Sequence, residues 1–270
     1  MTEQKRTLVR SRAGAPTTKS VVPATAAPAI VGRKPGASSF YKGVFFGPPK
    51  TGKTTVATSG KDVLLIQFDP EGDATTTLQG REDITVVEPK NFKEVEAIIK
   101  ALTTTDAGRF QWVVIDSVTF MFQTLDAGKI NKAYMENKNI MRPYGQAGAA
   151  VSSLIHDLLQ LQINVIFTAH LQKEDGEDSV AQEQELGETE VKLAVTPMVW
   201  KILGPGVSFI GRTFKKTAYE GTGKDRNKVT RYRVSLNDGE RSPAGARIQM
   251  PGELEITTTT LQELAEGGKK

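Results

Sequence analysis

The chain has 270 residues, 38% hydrophobic and 24% charged, with a formal net charge of +4. That balance suits a soluble globular protein with room for one large domain or two small ones. No apolar run is long enough to span a bilayer, and the N-terminus has no apolar stretch to serve as a secretory signal, so no membrane partner and a cytoplasmic location are expected. There is no cysteine, which excludes disulfides and thiolate metal sites, and His156 and His170 are too few for a histidine-built zinc site.

Charge is uneven. Residues 1–42 hold eight basic residues (Lys5, Arg6, Arg10, Arg12, Lys19, Arg33, Lys34 and Lys42) against Glu3 alone, so the remainder is net acidic. Residues 1–38 are rich in Ala, Pro and Thr and show no helical or strand period, which predicts a disordered basic tail.

From Phe40 the pattern becomes that of a folded domain. Tyr41–Phe46 is a short β-prone run ending at Gly47, and Lys53–Ser59 begins a helix. Asp62–Phe68, Trp112–Asp116 and Ile163–Ala169 are nearly continuous apolar runs, the pattern of strands buried on both faces. Ile84–Glu88 adds a short strand. Asn91–Leu102 repeats Phe92, Val95, Ile98 and Ile99 at helical spacing, and Gly145–Leu161 reads as a long amphipathic helix. Alternating strands and helices predict an α/β fold with a mostly parallel sheet flanked by helices. Beyond His170, residues 171–194 are polar and acidic. Phe209–Tyr219 and Val229–Leu236 then predict an antiparallel hairpin across the turn-rich Glu220–Lys228. The expected domains are a core over 40–200, a hairpin extension over 201–250 and a flexible C-terminus over 261–270.

Gly47-Pro48-Pro49-Lys50-Thr51-Gly52-Lys53-Thr54 matches G-x-x-x-x-G-K-[ST] between a strand and a helix. Such a loop turns backbone N–H groups toward phosphate oxygens, and the following helix adds its positive dipole end. Gly47 and Gly52 permit backbone geometry that a side chain would block. Lys53 supplies charge to the β- and γ-phosphates and Thr54 a hydroxyl to Mg²⁺. Thr55 completes the nucleotide-binding run, while Lys50 fills an unconstrained position.

Other residues could complete a hydrolysis site. Asp116 ends a buried strand, where a charge is costly unless it serves a ligand, so it is a candidate for the Mg²⁺ shell; capping the next helix is the plain alternative. Asp69 and Glu71, in Asp69-Pro70-Glu71-Gly72, could polarise an attacking water or simply form a turn. His170 ends the fourth buried strand, where a polar side chain could sense the γ-phosphate and relay its presence to the following loop. A guanine-reading N-K-x-D is missing, since Asn131-Lys132-Ala133-Tyr134 lacks the Asp, which argues against a GTPase.

In this order, GPPKTGKTT, a strand ending D-x-E, VVIDSVT (Val113–Thr119) and VIFTAH (Val165–His170) resemble the RecA-like P-loop ATPase core. The likeness spans roughly residues 40–250 and is greatest to short phage-encoded nucleotide-binding proteins described as single-strand annealing or recombination ATPases. It implies an Mg²⁺-dependent ATPase with ATP as cofactor. Glu71 would activate water, Asp116 would be linked to Mg²⁺, and His170 would stand at the γ-phosphate sensor. It also implies single-stranded DNA as partner, assembly into a ring or filament with ATP near the subunit interface, and a host cytoplasmic location. A single-strand-binding protein is a further candidate partner.

Basic and aromatic residues at 128–146 (Lys129, Lys132, Lys138, Arg142, Tyr134, Tyr144) suit DNA binding. The acidic segment 171–194 would repel a phosphate backbone. The hairpin region carries Arg212, Lys215, Lys216, Lys224, Arg226, Lys228, Arg231 and Arg233, with Arg231 and Arg233 on one face by alternation. Arg233, Arg241 and Arg247 are candidates for an arginine acting on a neighbour's ATP. Two alternatives stand beside the DNA-dependent ATPase: an ATP-set assembly module with negligible hydrolysis, and a P-loop small-molecule kinase.

Overall fold

The computed structural model describes residues 40–69, 78–122, 124–125, 136, 141–172, 192–220, 227–237, 242–247 and 250–267. The basic tail, Glu71, Lys129, Lys132, Tyr134, Lys138, the acidic run 173–191, Lys224, Arg226 and Arg241 therefore lie outside the described residues.

The elements in chain order are β1 (Lys42–Gly47), α1 (Lys53–Ala57), β2 (Val63–Gln67), β3 (Ile84–Val87), α2 (Phe92–Thr103), β4 (Trp112–Asp116), α3 (Met141–Gln160), β5 (Asn164–His170), α4 (Pro197–Gly206), β6 (Phe209–Glu220), β7 (Asn227–Ser235), β8 (Gly245–Ala246), β9 (Glu253–Glu255) and α5 (Thr260–Gly267). The strands join one sheet in the order β3-β2-β4-β5-β1-β6-β7-β9, with β8 pairing β6. All pairings from β3 to β6 are parallel, and β7, β8 and β9 are added antiparallel. This is an α/β architecture, a mostly parallel sheet flanked by helices with a C-terminal antiparallel extension.

The apolar runs of β1, β2 and β4 are buried throughout because helices cover both faces of the sheet. Strand alternation deals their side chains into two cores. Val44, Phe46, Leu64, Ile66, Val113, Ile115, Val165 and Phe167 meet Val95 of α2, Leu154 and Leu158 of α3, and Leu203 of α4. Phe45, Val63, Leu65, Val114 and Ile166 face the other way, onto Val56 of α1 and Leu261 and Leu264 of α5. Each such side chain contributes about 1.5–3 kcal/mol when fully buried.

The structure corrects several sequence boundaries. The long helix starts at Met141 rather than Gly145, so residues 141–146 are its first turns and not part of a loop. The C-terminus expected to be flexible from residue 261 instead forms α5, because Leu261 and Leu264 are buried and the Leu261 N–H donates to Ser59 Oγ at 2.8 Å. Helix α4 was not foreseen, although Thr196 caps it through the Val199 N–H and Pro197 opens it, a recognised start signal.

Lys42, at the start of the P-loop strand, is buried and donates to Leu161 O at 2.8 Å and Ile163 O at 2.6 Å, tying β1 to the end of α3. Burial lowers its pKa to about 8. The unfolded lysine keeps its higher ordinary value, so the unfolded state binds more protons between about pH 8 and 10.5, and stability rises with pH across that window. Between pH 7.5 and 9.5 the wild type should gain roughly 2 kcal/mol relative to Lys42→Met, read by denaturant unfolding. Parallel pH profiles for the two proteins would contradict this.

Candidate active site

The site is assembled at the carboxyl ends of β1, β2, β4 and β5. Register places its parts. Gly47, the first residue of the phosphate loop, pairs with His170, and Gln67 pairs with Asp116. Strand β5 thus lies between the strand that feeds the loop and the strand that carries Asp116, with Thr168 and His170 at its tip.

The loop from Gly47 to Thr54 is held by its own polar groups and by β6. Lys50 and Gly52 have φ of 61° and 89°, left-handed conformations that turn the backbone sharply. The Thr51 hydroxyl donates to Pro48 O at 2.8 Å and can then accept from Thr213 Oγ1 at 2.7 Å, while Phe46 O lies 3.3 Å from Thr213 Oγ1. A Cβ on Gly47 would come within 2.4 Å of the Thr213 carbonyl oxygen, so only glycine allows β6 to approach. Thr213 is fully buried. Sequence reasoning missed this brace, because it depends on β6 pairing with β1 across a long separation.

Lys53 folds into the loop, donating to Gly47 O at 3.1 Å and Pro48 O at 2.8 Å. Burial lowers its pKa to about 8, while Asp116 and then Asp69 pull the other way. Thr54 Oγ1 donates to Asp116 Oδ2 at 2.6 Å, and Thr168 Oγ1 donates to Asp116 Oδ1 at 2.5 Å. Asp116 thus accepts one hydroxyl on each oxygen. It is 7% exposed, and the Asp116–Ser117 peptide is cis. Thr168, read in the sequence only as part of the run before His170, is its second partner.

Asp69 follows β2 and lies 3.8 Å from His170 Nε2. The His170 backbone N–H donates to Thr119 Oγ1 at 3.0 Å, and its ring sits edge-on to Phe120 at 5.2 Å. Burial, then Lys53, lowers the His170 pKa against the opposing pull of Asp69 and Asp116, so its ring is neutral near pH 7. His170 also begins the connection to α4. Its carbonyl accepts from the Ala194 N–H at 2.8 Å and Gln172 N–H donates to Lys192 O at 2.9 Å, pinning together the ends of the acidic segment.

These residues suit a nucleoside triphosphate with Mg²⁺. The loop offers a left-handed backbone turn and a buried cation, and the Thr54–Asp116 pair supplies the hard oxygen donors that Mg²⁺ prefers. Among the described residues no three His, Asp or Glu side chains gather as a metal cage. Mg²⁺ commonly needs none, since it binds through few protein oxygens together with substrate phosphates. Pro48 is half-buried and Pro49 is exposed at the rim.

The described arginines of the hairpin region make contacts within the chain. Arg231 pairs with Glu255 at 2.9 Å and Arg233 pairs with Glu253, so both are engaged within the chain by β9. The Arg247 N–H donates to Ser208 O, and Ser208 in turn donates to Lys42 O, at the end of the sheet opposite the phosphate loop. Among the described residues no helix is long and apolar enough to cross a membrane.

No curated protein matches the chain. Among solved structures it is similar to one titled "Crystal structure of the RadB recombinase", at 18% sequence identity and a TM-score of 0.43, with 82% of this chain and 89% of that chain covered. A family model described as AAA domain matches residues 39–248, a span that holds β1 to β8 and every site residue named above, and the chain belongs to that family.

Proposed function

We propose that the chain is an Mg²⁺-dependent ATPase that acts on single-stranded DNA in recombination or annealing, assembling as a ring or filament. The observation that carries the ATPase part is the hydrogen-bonded line Thr54–Asp116–Thr168 beside Lys53 in the phosphate loop. Lys53 and the loop N–H groups would hold the β- and γ-phosphates, and Thr54 and Asp116 would hold Mg²⁺, which neutralises phosphate charge as the bond breaks.

Glu71, two residues past Asp69, is proposed as the base that orients the attacking water. Asp69 and the neutral His170 lie close to Lys53, and His170 is proposed as the γ-phosphate sensor. Its carbonyl bond to the Ala194 N–H would transmit nucleotide state to the segment that follows β5.

The DNA part rests on the basic and aromatic residues Lys129, Lys132, Tyr134 and Lys138, which lie in the sequence between β4 and α3. The test is fluorescence anisotropy of a labelled single-stranded oligonucleotide with Mg²⁺ and either ATP, ADP or no nucleotide. Binding at least tenfold tighter with ATP, weakening steeply with salt, supports the proposal. Binding indifferent to nucleotide, or none, counts against it.

A further inference from the structure

Beside the phosphate loop lies a pair of side chains that the hydrolysis site does not use. A Cβ on Gly52 would meet Ile256 Cδ1 at 3.3 Å and Tyr232 Cβ and Cδ1 at 3.7 and 3.8 Å. Both side chains therefore stand against the last glycine of the loop, where α1 begins. Tyr232 and Val234 alternate onto the same face of β7, the face covered by α1 and α5, and Val234 is buried there. Tyr232 lies nearer the phosphate loop and is 42% exposed, one of three large exposed hydrophobic side chains among the described residues. The Ile256 N–H donates to Tyr232 O at 2.8 Å, fixing the segment after β9 beside the tyrosine. Lys215, opposite Tyr232 in the register, places Nζ 5.8 Å from the ring centroid.

We propose that Tyr232 and Ile256 form the platform for the purine base of the bound nucleotide. This rests on the assignment of the loop as a triphosphate site. A base must lie within one nucleotide's length of its phosphates, and this half-exposed aromatic ring with an aliphatic neighbour stands beside the last glycine of the loop. Aromatic rings stack on purines through their faces, which needs no hydrogen-bond code. The platform also gives the C-terminal segment a role. Residues 250–267 reach the site because α5 is anchored on α1 through Leu261, Leu264 and Ser59. Ile256 and α5 lie beyond residues 39–248, the stretch that the family model matches.

The experiment is isothermal titration of the full chain with Mg²⁺-ATP and, separately, with Mg²⁺ and inorganic tripolyphosphate, for wild type, Tyr232→Ala, Tyr232→Phe and Ile256→Ala. Loss of a stacking contact should weaken ATP roughly tenfold in Tyr232→Ala. A smaller loss is expected in Ile256→Ala, while tripolyphosphate binding stays at the wild-type level in both and Tyr232→Phe keeps ATP affinity. Unchanged ATP affinity in Tyr232→Ala overturns the platform, as does equal weakening of both ligands, which a merely structural role would produce. If wild type binds the two ligands equally, the platform fails and the phosphate loop stands. If it binds neither, the triphosphate assignment fails and the platform with it.

Discussion

Lys53→Ala is expected to remove ATP hydrolysis, lowering the rate by roughly 10²–10³ or more. Lys53 is 7% exposed, and its ammonium sits inside the loop, on the carbonyls of Gly47 and Pro48. Removing one preorganised donor from the place where charge develops commonly costs that much. The loss has two parts. Alanine takes away the cation that meets the phosphates, and it leaves two loop carbonyls without their donor. Lys53→Arg separates them, since it keeps charge while the planar fork cannot take the same two bonds in the same space. Steady-state phosphate release measures the effect, with a thermal melt to confirm folding. A Lys53→Ala protein that hydrolyses ATP within a factor of a few of wild type would remove Lys53 from the chemistry.

Asp116→Asn should lower turnover by about 10² and raise the Mg²⁺ concentration needed for half-maximal rate at least tenfold. The carboxylate accepts from Thr54 on one oxygen and from Thr168 on the other. An asparagine has the same shape but offers one carbonyl acceptor and one amide NH2, so one of the two donating hydroxyls faces a donor. The negative charge that would favour Mg²⁺ is also gone. Thr54→Val acts on the same pair, so Thr54→Val with Asp116→Asn should cost less than the sum of the two single changes. The measurement is a Mg²⁺ titration of the hydrolysis rate for each variant. Unaltered Mg²⁺ dependence in Asp116→Asn would show that Asp116 only caps the chain after β4.

The parallel sheet was legible because burial on both faces writes itself as unbroken apolar runs. DVLLIQF and WVVID could be placed to within a residue or two for that reason, and so could INVIFTA. The phosphate loop was legible because its chemistry demands fixed residues at fixed spacing. What escaped the sequence is what long-range pairing creates. Thr213 braces the loop only because β6 lies parallel to β1. Thr168 serves Asp116 only because β5 lies between β4 and β1. Helix α5 carries its apolar contacts on Leu261 and Leu264, too short a pattern to separate from a polar tail. Arg231 and Arg233 share a face as alternation requires, yet strand β9 pairs them with Glu255 and Glu253. Charge counting along one strand cannot foresee a partner supplied from about twenty residues away.

The proposed activity is tested most directly by phosphate release from ATP by the purified chain, with Mg²⁺, in the presence and absence of single-stranded DNA. Hydrolysis is expected to rise at least several-fold with DNA and to disappear in Lys53→Ala. A rate equal with and without DNA would contradict the nucleic-acid half of the proposal, and no hydrolysis under either condition would contradict the ATPase itself.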